Sequence, residues 1–349
     1  MSRNRGRKKN KKRKSSNTKL NETVSSEISD KNKPMDDVLD KDLVSIIMTA
    51  YNSEDTLEKA INSILKQTYT NFELIIIDDC STDSTLEVAK RFISDKVRVF
   101  RSSINSGTYF CKNYGIKKSK GRYLTFHDAD DWCDPNHIEV LHKSYWELKD
   151  KNYWSGHSSL DRPSNKIKIV YASAKIWEDV NGEVKLVAPG LGRVTASFGI
   201  YKDHVCSNRA TITSFFEASL LQDFGFFDSV RFGADSEFEE RIAIFYGLQE
   251  AKVPDCRNTY NRYNRDGSLT RDKDTGLRSE ARQSYKAGYR KWHRDLAALR
   301  SVLKRNMTYL ASPYMDYPLL RRKFFTMGAT DCLIPETSSE DCFEEIFKD

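Results

Sequence analysis

Four apolar runs and four amphipathic segments alternate along residues 43–149 of the chain. The runs are rich in β-branched residues and continuous enough for strands that are buried on both faces. They predict strands at 43–49, 72–78, 97–101 and 122–128. In the segments that follow each run, apolar residues recur every three or four positions, which is the helical period. They predict helices at 53–67, 81–93, 107–119 and 135–149.

Strands and helices that alternate in this way predict right-handed βαβ units, a mostly parallel sheet and therefore an α/β fold. Ligands of such sheets bind beyond the carboxyl ends of the strands. Three short segments directly follow a predicted strand and are the candidates for a site: Ala50–Asn52, Asp78–Asp79 and Asp128–Asp131.

The third segment places three carboxylates within four residues: Asp128, Asp130 and Asp131. Like charges this close repel, and a divalent cation would relieve the repulsion. Asp128 and Asp130, in D-x-D spacing, offer the hard oxygen ligands that Mg²⁺ and Mn²⁺ prefer beside substrate phosphates. The alternative is that Asp131 or Asp134 caps the helix that begins near Pro135. The spacing leaves both open.

The first two segments combine an aromatic ring with carboxylates. Tyr51 can stack on a nucleobase, and a carboxylate at the neighbouring strand end can accept an N–H of the base. Ordinary roles remain open as well. Tyr51 can pack against its neighbours, Asp78 can satisfy loop amides, and Asp83 can cap the second helix.

Beyond residue 150 the pattern is less regular. Residues 151–166 are polar and predict a loop, whereas 166–178 predicts a strand. Further helices are predicted at 213–225, 236–247 and 276–306. The last of these is basic with an apolar stripe, so it can dock on the rest of the protein, pair with a partner or lie on an anionic membrane.

The positive charge is concentrated at the start of the chain. The net charge is +7, yet residues 1–20 contain ten Lys or Arg and no acid, so the remainder is mildly acidic. Residues 1–40 have few apolar side chains to bury, which predicts a disordered basic tail. We expect a solubilising or weakly adhesive arm and no specific nucleic-acid recognition.

Cysteine usage and hydropathy bear on the compartment. The seven cysteines are scattered and show no C-x-x-C spacing, which argues against a disulfide framework or a zinc site. No run approaches the roughly 18 apolar residues that span a bilayer, and no apolar segment follows the first basic residues as in a signal peptide. These features predict a cytoplasmic protein, with peripheral membrane contact left open.

Five motifs occur in order along the chain. They are VSIIMTAYN (44–52), SILKQTYTNFELIIIDDCSTDST (63–85), NSG (105–107), KNYGIKKSKGRYLTFHDADDWCDP (112–135) and GFFD with FGADSEFEERI (225–242). Together they resemble the family 2 glycosyltransferases of the GT-A fold, from about Leu43 to Thr270. The resemblance implies a Rossmann-like, mostly parallel sheet flanked by helices at 41–275 and a helical extension at 276–349.

The resemblance also implies roles on the donor side of a site. Thr49, Tyr51 and Asp79 match positions that hold the nucleotide base, with Tyr51 stacking on uracil and Asp79 accepting its N3–H. Asp130 matches the metal ligand that holds the donor diphosphate. Asp128 matches the first acid of that motif, close to the ribose and the metal.

On the acceptor side, Asp235 matches the catalytic base. An Asp that precedes a helix can also be an N-cap and nothing more. Two positions depart from the family pattern. Lys112 stands where many relatives carry Arg, and Lys lacks the bidentate geometry of Arg toward phosphate. In a flap motif, Arg262 and Ser268 are present, whereas Asn264 occupies the expected His position.

The implied activity is the inverting transfer of a sugar from a nucleotide diphosphate sugar, expected to be UDP-linked, to a hydroxyl of a glycan, lipid-linked or protein acceptor. Mn²⁺ or Mg²⁺ would stabilise the departing diphosphate, and a carboxylate would deprotonate the acceptor. Three alternatives are kept: a nucleotidyltransferase acting on sugar phosphates, a glycoside hydrolase and a non-catalytic nucleotide-sugar-binding protein. The sequence lacks the basic glycine-rich phosphate loop expected of the first, and the second needs no nucleotide.

Overall fold

The computed structural model describes residues 40–149, 169–189, 194–197, 209–221, 225–246, 258–265, 273–303 and 338–348. The predicted basic tail at 1–40 lies outside the described residues except for Asp40. The predicted loop at 151–166 lies outside them as well.

The first half of the described chain has the predicted alternation of strands and helices. Its strands are β1 (Asp40–Ala50), β2 (Phe72–Asp78), β3 (Val97–Ser102) and β4 (Gly121–Asp128). Its helices are α1 (Leu57–Leu65), α2 (Thr85–Lys90), α3 (Thr108–Lys118) and α4 (His137–Lys149). Each predicted element is present. The Asp83 carboxylate accepts the Thr85 N–H at 3.0 Å at the start of α2, although the N-cap position is Ser84, whose side chain makes no cap hydrogen bond.

Strand β1 lies in the middle of a parallel unit. It pairs in parallel with β2 on one side and β4 on the other, and β3 pairs in parallel with β2. Successive side chains of β1 point to opposite faces. Ile46 and Met48 join the core cluster that includes α1, while Ile47 lies against Gly115 of α3. Helices therefore cover both faces, which is the layered α/β arrangement predicted.

Seven further strands extend this unit. They are β5 (Trp132–Cys133), β6 (Ile169–Val180), β7 (Glu183–Ala188), β8 (Val194–Ser197), β9 (Arg209–Glu217), β10 (Tyr260–Asn264) and β11 (Phe343–Ile346). The strand order is β11-β3-β2-β1-β4-β9-β6-β10-β5, and β7 and β8 also pair with β6. β10 runs parallel to β6, whereas the other added pairings are antiparallel.

The helix predicted over 213–225 is wrong for its first part. Residues Arg209–Glu217 form β9, which pairs with β4 and β6. Phe215 of this strand stacks on Tyr123 of β4, with ring centroids 5.2 Å apart. The spacing of the apolar residues suits a strand or a helix, and the available edge of β4 decides for the strand.

Two long helices complete the described fold, α5 (Ala234–Tyr246) and α6 (Glu280–Leu303). Glu237 of α5 joins them, because it lies 2.7 Å from Arg241 Nη2 and 3.0 Å from His293 Nε2 of α6. Glu237 and Arg241 are fully buried, so neither charge is compensated by water. The described contacts thus show α6 docked on α5. None of the helices in the described ranges is both long and apolar enough to cross a membrane.

The predicted extension at 276–349 is not helical throughout. Helix α6 agrees with the prediction, whereas β11 joins the main sheet antiparallel to β3. Strand β3 offers an edge whose backbone groups need partners, and β11 supplies them. Phe343 adds a side-chain contact, because its ring stacks on Tyr114 with 3.9 Å between centroids.

Gly115 is the point at which α3 comes closest to the sheet. A Cβ at this position would lie 2.6 Å from Ile47 Cγ2 and 2.8 Å from Ile77 Cδ1. Neither distance is tolerable between carbon atoms, so only glycine allows this approach.

We predict that Gly115→Ala lowers the free energy of unfolding by about 1–3 kcal/mol, measured by urea denaturation, because the extra methyl group overpacks the interface. Ile77→Val removes the Cδ1 atom and should relieve part of the strain. The double variant is therefore expected to lose less than the sum of the two single losses. Strictly additive losses would contradict the close contact.

Candidate active site

The register of the parallel strands brings the three candidate segments to one edge of the sheet. Thr49 of β1 lies opposite Asp128 of β4, and Ala50 lies opposite Asp78 of β2. The Asp79 N–H also donates to Ala50 O at 2.8 Å. Because parallel strands end on the same side, the residues that follow them share this edge.

Tyr51 is the exposed aromatic residue of this edge, with 45% of its surface accessible. The backbone beside it is fixed, because Asn52 has a left-handed φ of 45° and donates its N–H to Ser81 Oγ at 3.0 Å. The Thr49 hydroxyl is buried and lies 2.8 Å from the hydroxyl of Thr108 at the start of α3. The edge therefore combines an exposed aromatic ring with a buried hydroxyl that is held by α3.

Asp79 is nearly fully buried and is held at both carboxylate oxygens. One oxygen accepts the Ser106 N–H at 2.7 Å and the other accepts the Gly107 N–H at 2.8 Å. Burial raises the pKa of Asp79, and the two amides oppose that rise. Gly107 has a φ of 91° and precedes α3, so the turn that donates both N–H groups requires glycine. The Cys111 thiol also donates to this carboxylate, so of its roughly four lone-pair sites about one remains for a further donor.

The three acids of the HDADD motif form one cluster. Oxygen atoms of Asp128, Asp130 and Asp131 all lie within 4.8 Å of one another. Strand β4 ends at Asp128, and a turn in which Asp131 N–H donates to Asp128 O at 3.3 Å folds the three side chains together. The cluster offers hard oxygen atoms at the spacing a small divalent cation needs.

Two cationic side chains already lie against this cluster. Lys112 Nζ lies 3.5 Å from Asp128 Oδ1, and Arg265 Nε lies 3.2 Å from Asp130 Oδ2. Burial and the Asp128 charge raise the pKa of Asp130, while Arg265 lowers it. Lys112, in the position noted as a departure from the family, therefore faces an acid of the D-x-D motif in the described structure.

Asp131 is the buried member of the cluster. It accepts the Tyr263 N–H at 2.8 Å and a hydrogen bond from the Tyr260 hydroxyl. Burial, followed by the charges of Asp130 and Asp128, raises its pKa well above the usual range. Its side chain bonds to β10 and not to the start of α4, so Asp131 is not the helix cap that the sequence left open.

Asp134 does not cap α4 with its side chain either. Its carboxylate lies 2.9 Å from Lys175 Nζ and accepts from Asn261 Nδ2 at 3.0 Å. Its backbone carbonyl accepts the His137 N–H at 3.0 Å. The Asp134 side chain thus links the turn at residues 128–131, called the acidic turn below, to β6 and β10. Its backbone carbonyl accepts a hydrogen bond from the first residue of α4.

Asp235 lies at the start of α5, where its carboxylate accepts the Ser236 N–H at 2.8 Å. The buried phenol of Tyr109 lies beside it. Burial is the largest cause of the raised pKa of Tyr109, and the charges of Asp235 and Asp128 add to it. The Tyr109 hydroxyl therefore hydrogen-bonds to Asp235 and is close enough to Asp128 for that charge to act on it.

The flap residues have mixed outcomes. Asn264, in the expected His position, donates from Nδ2 to Glu178 Oε1 at 3.0 Å, so its amide is engaged with β6. Ser268 lies outside the described residues. Arg265 was not singled out from the sequence, and neither were the two amides that hold Asp79. The NSG motif marked the latter turn, but nothing in its letters shows which carboxylate it binds.

The sheet edge and the acidic turn lie in a region that matches a known family. The model of glycosyl transferase family 2 matches residues 45–153, from β1 through α4. Within these residues the chain has the sequence pattern of the family 2 glycosyltransferases.

Relatives named as glycosyltransferases align over part of their length. Glycosyltransferase GlyA of Streptococcus pneumoniae is 26% identical over 66% of this chain and 32% of that protein. UDP-Glc:alpha-D-GlcNAc-diphosphoundecaprenol beta-1,3-glucosyltransferase WfgD of Escherichia coli is 37% identical over 29% of this chain and 40% of that protein. The family 2 region described here thus spans well under two thirds of these relatives.

A solved structure shows the same fold. S. aureus TarS residues 1–349, in complex with UDP-GlcNAc, superposes with a TM-score of 0.54 and 17% identity. The match covers 78% of this chain and 70% of TarS. The α/β fold of GT-A type, predicted from the sequence, is confirmed.

Two buried histidines, His127 and His137, lie next to the acidic turn. His127 Nδ1 lies 2.8 Å from Asp128 O, and His137 Nδ1 lies 2.7 Å from Thr259 Oγ1. The Tyr260 ring lies between the two imidazoles, with centroid distances of 5.1 Å and 5.5 Å. Burial lowers the pKa of His127 to about 4 and that of His137 to about 3.

We predict that acid destabilises this protein partly through His137. The folded state keeps the imidazole neutral, whereas the unfolded chain binds a proton below about pH 6.5, so stability falls as the pH drops from there toward 3. His137→Asn keeps an acceptor or donor near Thr259 and should flatten the loss, measured by urea unfolding from pH 7 to 4. His142→Asn, at a half-buried histidine of the same helix, is the control and should flatten it less. Equal pH dependence in His137→Asn and the wild type would contradict the prediction.

Proposed function

We propose that this family 2 protein transfers a sugar from a nucleoside diphosphate sugar, most suitably a UDP-sugar, to a hydroxyl group of a glycan, lipid-linked or protein acceptor. Transfer proceeds with inversion at the anomeric carbon. The observation that carries the proposal is the grouping of Tyr51, Asp79, the acidic cluster and Asp235 around the carboxyl edge of one parallel sheet. No other chemistry weighed from the sequence uses all four.

The donor base is proposed to bind at Tyr51 and Asp79. The exposed ring of Tyr51 offers a face for stacking. Asp79 presents a lone pair whose direction is fixed by two amides, so it can accept the N3–H of uracil without reorienting. Thr49 completes the floor of this subsite. UDP is favoured because WfgD is named for UDP-Glc and TarS was solved with UDP-GlcNAc.

The diphosphate is proposed to bind next to Asp128 and Asp130 together with Mg²⁺ or Mn²⁺. The cluster fits such an ion, because its carboxylate oxygens converge within 4.8 Å. When bound, the ion supplies Lewis-acid neutralisation of the charge on the leaving diphosphate. Binding of the ion to Asp130 would displace the Arg265 guanidinium from this carboxylate. The displaced guanidinium could then contact the phosphates. Lys112 lies on the other flank of the same cluster.

Asp235 is proposed as the general base. It lies at the first turn of α5 and accepts a hydrogen bond from the buried Tyr109 hydroxyl, on which the charge of Asp128 also acts. In that position Asp235 can take the proton of an acceptor hydroxyl while the oxygen attacks the anomeric carbon from the face opposite the diphosphate. The proton leaves the oxygen as the new glycosidic bond forms, and the nucleoside diphosphate departs.

The function is tested by donor hydrolysis across a panel of UDP- and GDP-sugars with Mn²⁺, Mg²⁺ or chelator. We expect release of UDP from at least one UDP-sugar, with the rate lost in chelator and restored by either cation. The matched test variant is Asp130→Asn. It removes one negatively charged ligand and should therefore weaken the dependence of UDP release on added cation. Release from no donor, or release that is insensitive to chelator, would refute the proposal.

A second test addresses the base. Asp235→Asn preserves size and an acceptor for the Ser236 N–H but cannot take a proton, so the transfer rate should fall by about 10²–10⁴-fold. UDP affinity, measured calorimetrically, should change by less than about twofold, because Asp235 lies on the acceptor side. Ser236→Ala on the same turn is the control and should leave both quantities unchanged. Near wild-type transfer by Asp235→Asn would show that another group is the base.

A further inference from the structure

The segment at 338–346 lies next to the turn that holds Asp79, although it is distant from that turn in sequence. Its strand β11 pairs with β3 from Phe343 opposite Ser102 to Ile346 opposite Val99. The register places the residues before β11 beside the residues after β3. The turn Ser103–Gly107 therefore has the 338–342 segment as its neighbour.

Two hydrogen bonds join this segment to the turn. The Ser103 N–H donates to Cys342 O at 2.8 Å, and the Ser338 hydroxyl donates to Ser106 Oγ at 3.1 Å. Ser338 is 2% exposed and Ser106 is fully buried. Water therefore cannot replace the second bond without a rearrangement, and the Ser106 side chain depends on residue 338 for its partner on that side.

Ser106 is one of the two residues that donate backbone N–H groups to Asp79. The opposite side of the turn is contacted by Arg231, which lies within 3.5 Å of both the side-chain oxygen and the carbonyl of Asn105. The turn is thus held between Arg231 and the 338–342 segment. A shift of Ser106 would rotate the carboxylate that its amide fixes.

Residues 340 and 343 of this segment make further contacts with α3. The Phe343 ring stacks nearly parallel to the Tyr114 ring, at an interplanar angle of 13°, and its centroid lies 5.7 Å from that of Phe110. Glu340 forms an ion pair with Lys117. Both contacts are to α3, the helix that begins at the same turn, so the segment and the helix move together.

We propose that residues 338–343 are a positioning element of the nucleotide subsite, acting through Ser106 on Asp79. The inference rests on the proposed function, because Asp79 is assigned to the base of the donor there. It adds Ser338 and Phe343 to the residues that determine affinity for a uridine nucleotide. Neither residue touches the ligand, and their effect passes through the turn.

The experiment measures UDP affinity, donor KM, kcat and melting temperature for Ser338→Ala, Phe343→Ala and the wild type. We expect UDP binding to weaken by about three- to tenfold in each variant, consistent with the loss of one buried neutral hydrogen bond or one stacking contact. Donor KM should rise by a similar factor, with kcat within about twofold. Phe347→Ala, at a 74% exposed ring after β11, is the control and should match the wild type.

A double-variant cycle separates positioning from general stability. If Ser338 acts through the Ser106 hydroxyl, Ser338→Ala should cause no further loss of UDP affinity in a Ser106→Ala background. Unchanged UDP affinity in Ser338→Ala and Phe343→Ala, with only a lower melting temperature, would overturn the inference. Absence of nucleotide binding by the wild type would instead overturn the proposed function, so the two failures are distinguishable.

Discussion

The double parallel pairing of β1 is the constraint from which the rest of the site follows. Because β2 and β4 run in the same direction on its two sides, Thr49, Asp78 and Asp128 emerge at one edge. The interior of β1 is apolar and buried, so a shift of one residue would expose core side chains and is strongly disfavoured. Core packing thus sets the positions of the polar residues at the strand ends. Because these residues are not needed for the packing itself, they can take part in ligand binding.

The charges at this edge are balanced by two different means. The partly exposed acids Asp128 and Asp130 have cationic partners, which can exchange with a ligand. The buried acids Asp79 and Asp131 are held by backbone N–H groups and a tyrosine hydroxyl, which cannot leave without unfolding a turn or a strand. Mobile partners surround the proposed diphosphate subsite, and fixed donors define the groups that must keep their orientation.

Elements that depend on local periodicity were predicted correctly from the sequence. Elements and site residues that depend on pairing between distant segments were missed. Residues 72–78 were predicted as a strand with correct bounds, because a continuous apolar run is buried in any parallel sheet. Residues 213–217 were misassigned, because their spacing suits a helix and only the edge of β4 favours a strand. Among site residues, the D-x-D acids were visible as a motif. Arg265 was not, because its meaning depends on β10 lying beside the acidic turn.

Strand β11 also has a consequence for solubility. An uncovered β3 would present a row of unpaired backbone groups to any neighbouring molecule, and such edges promote association of sheets from different copies. The strand that covers it is only four residues long and carries two exposed acids, Glu344 and Glu345. A second copy that approached this edge would meet a short strand and two negative charges. The strand that follows the residues beside the proposed nucleotide subsite thus also discourages edge-to-edge aggregation.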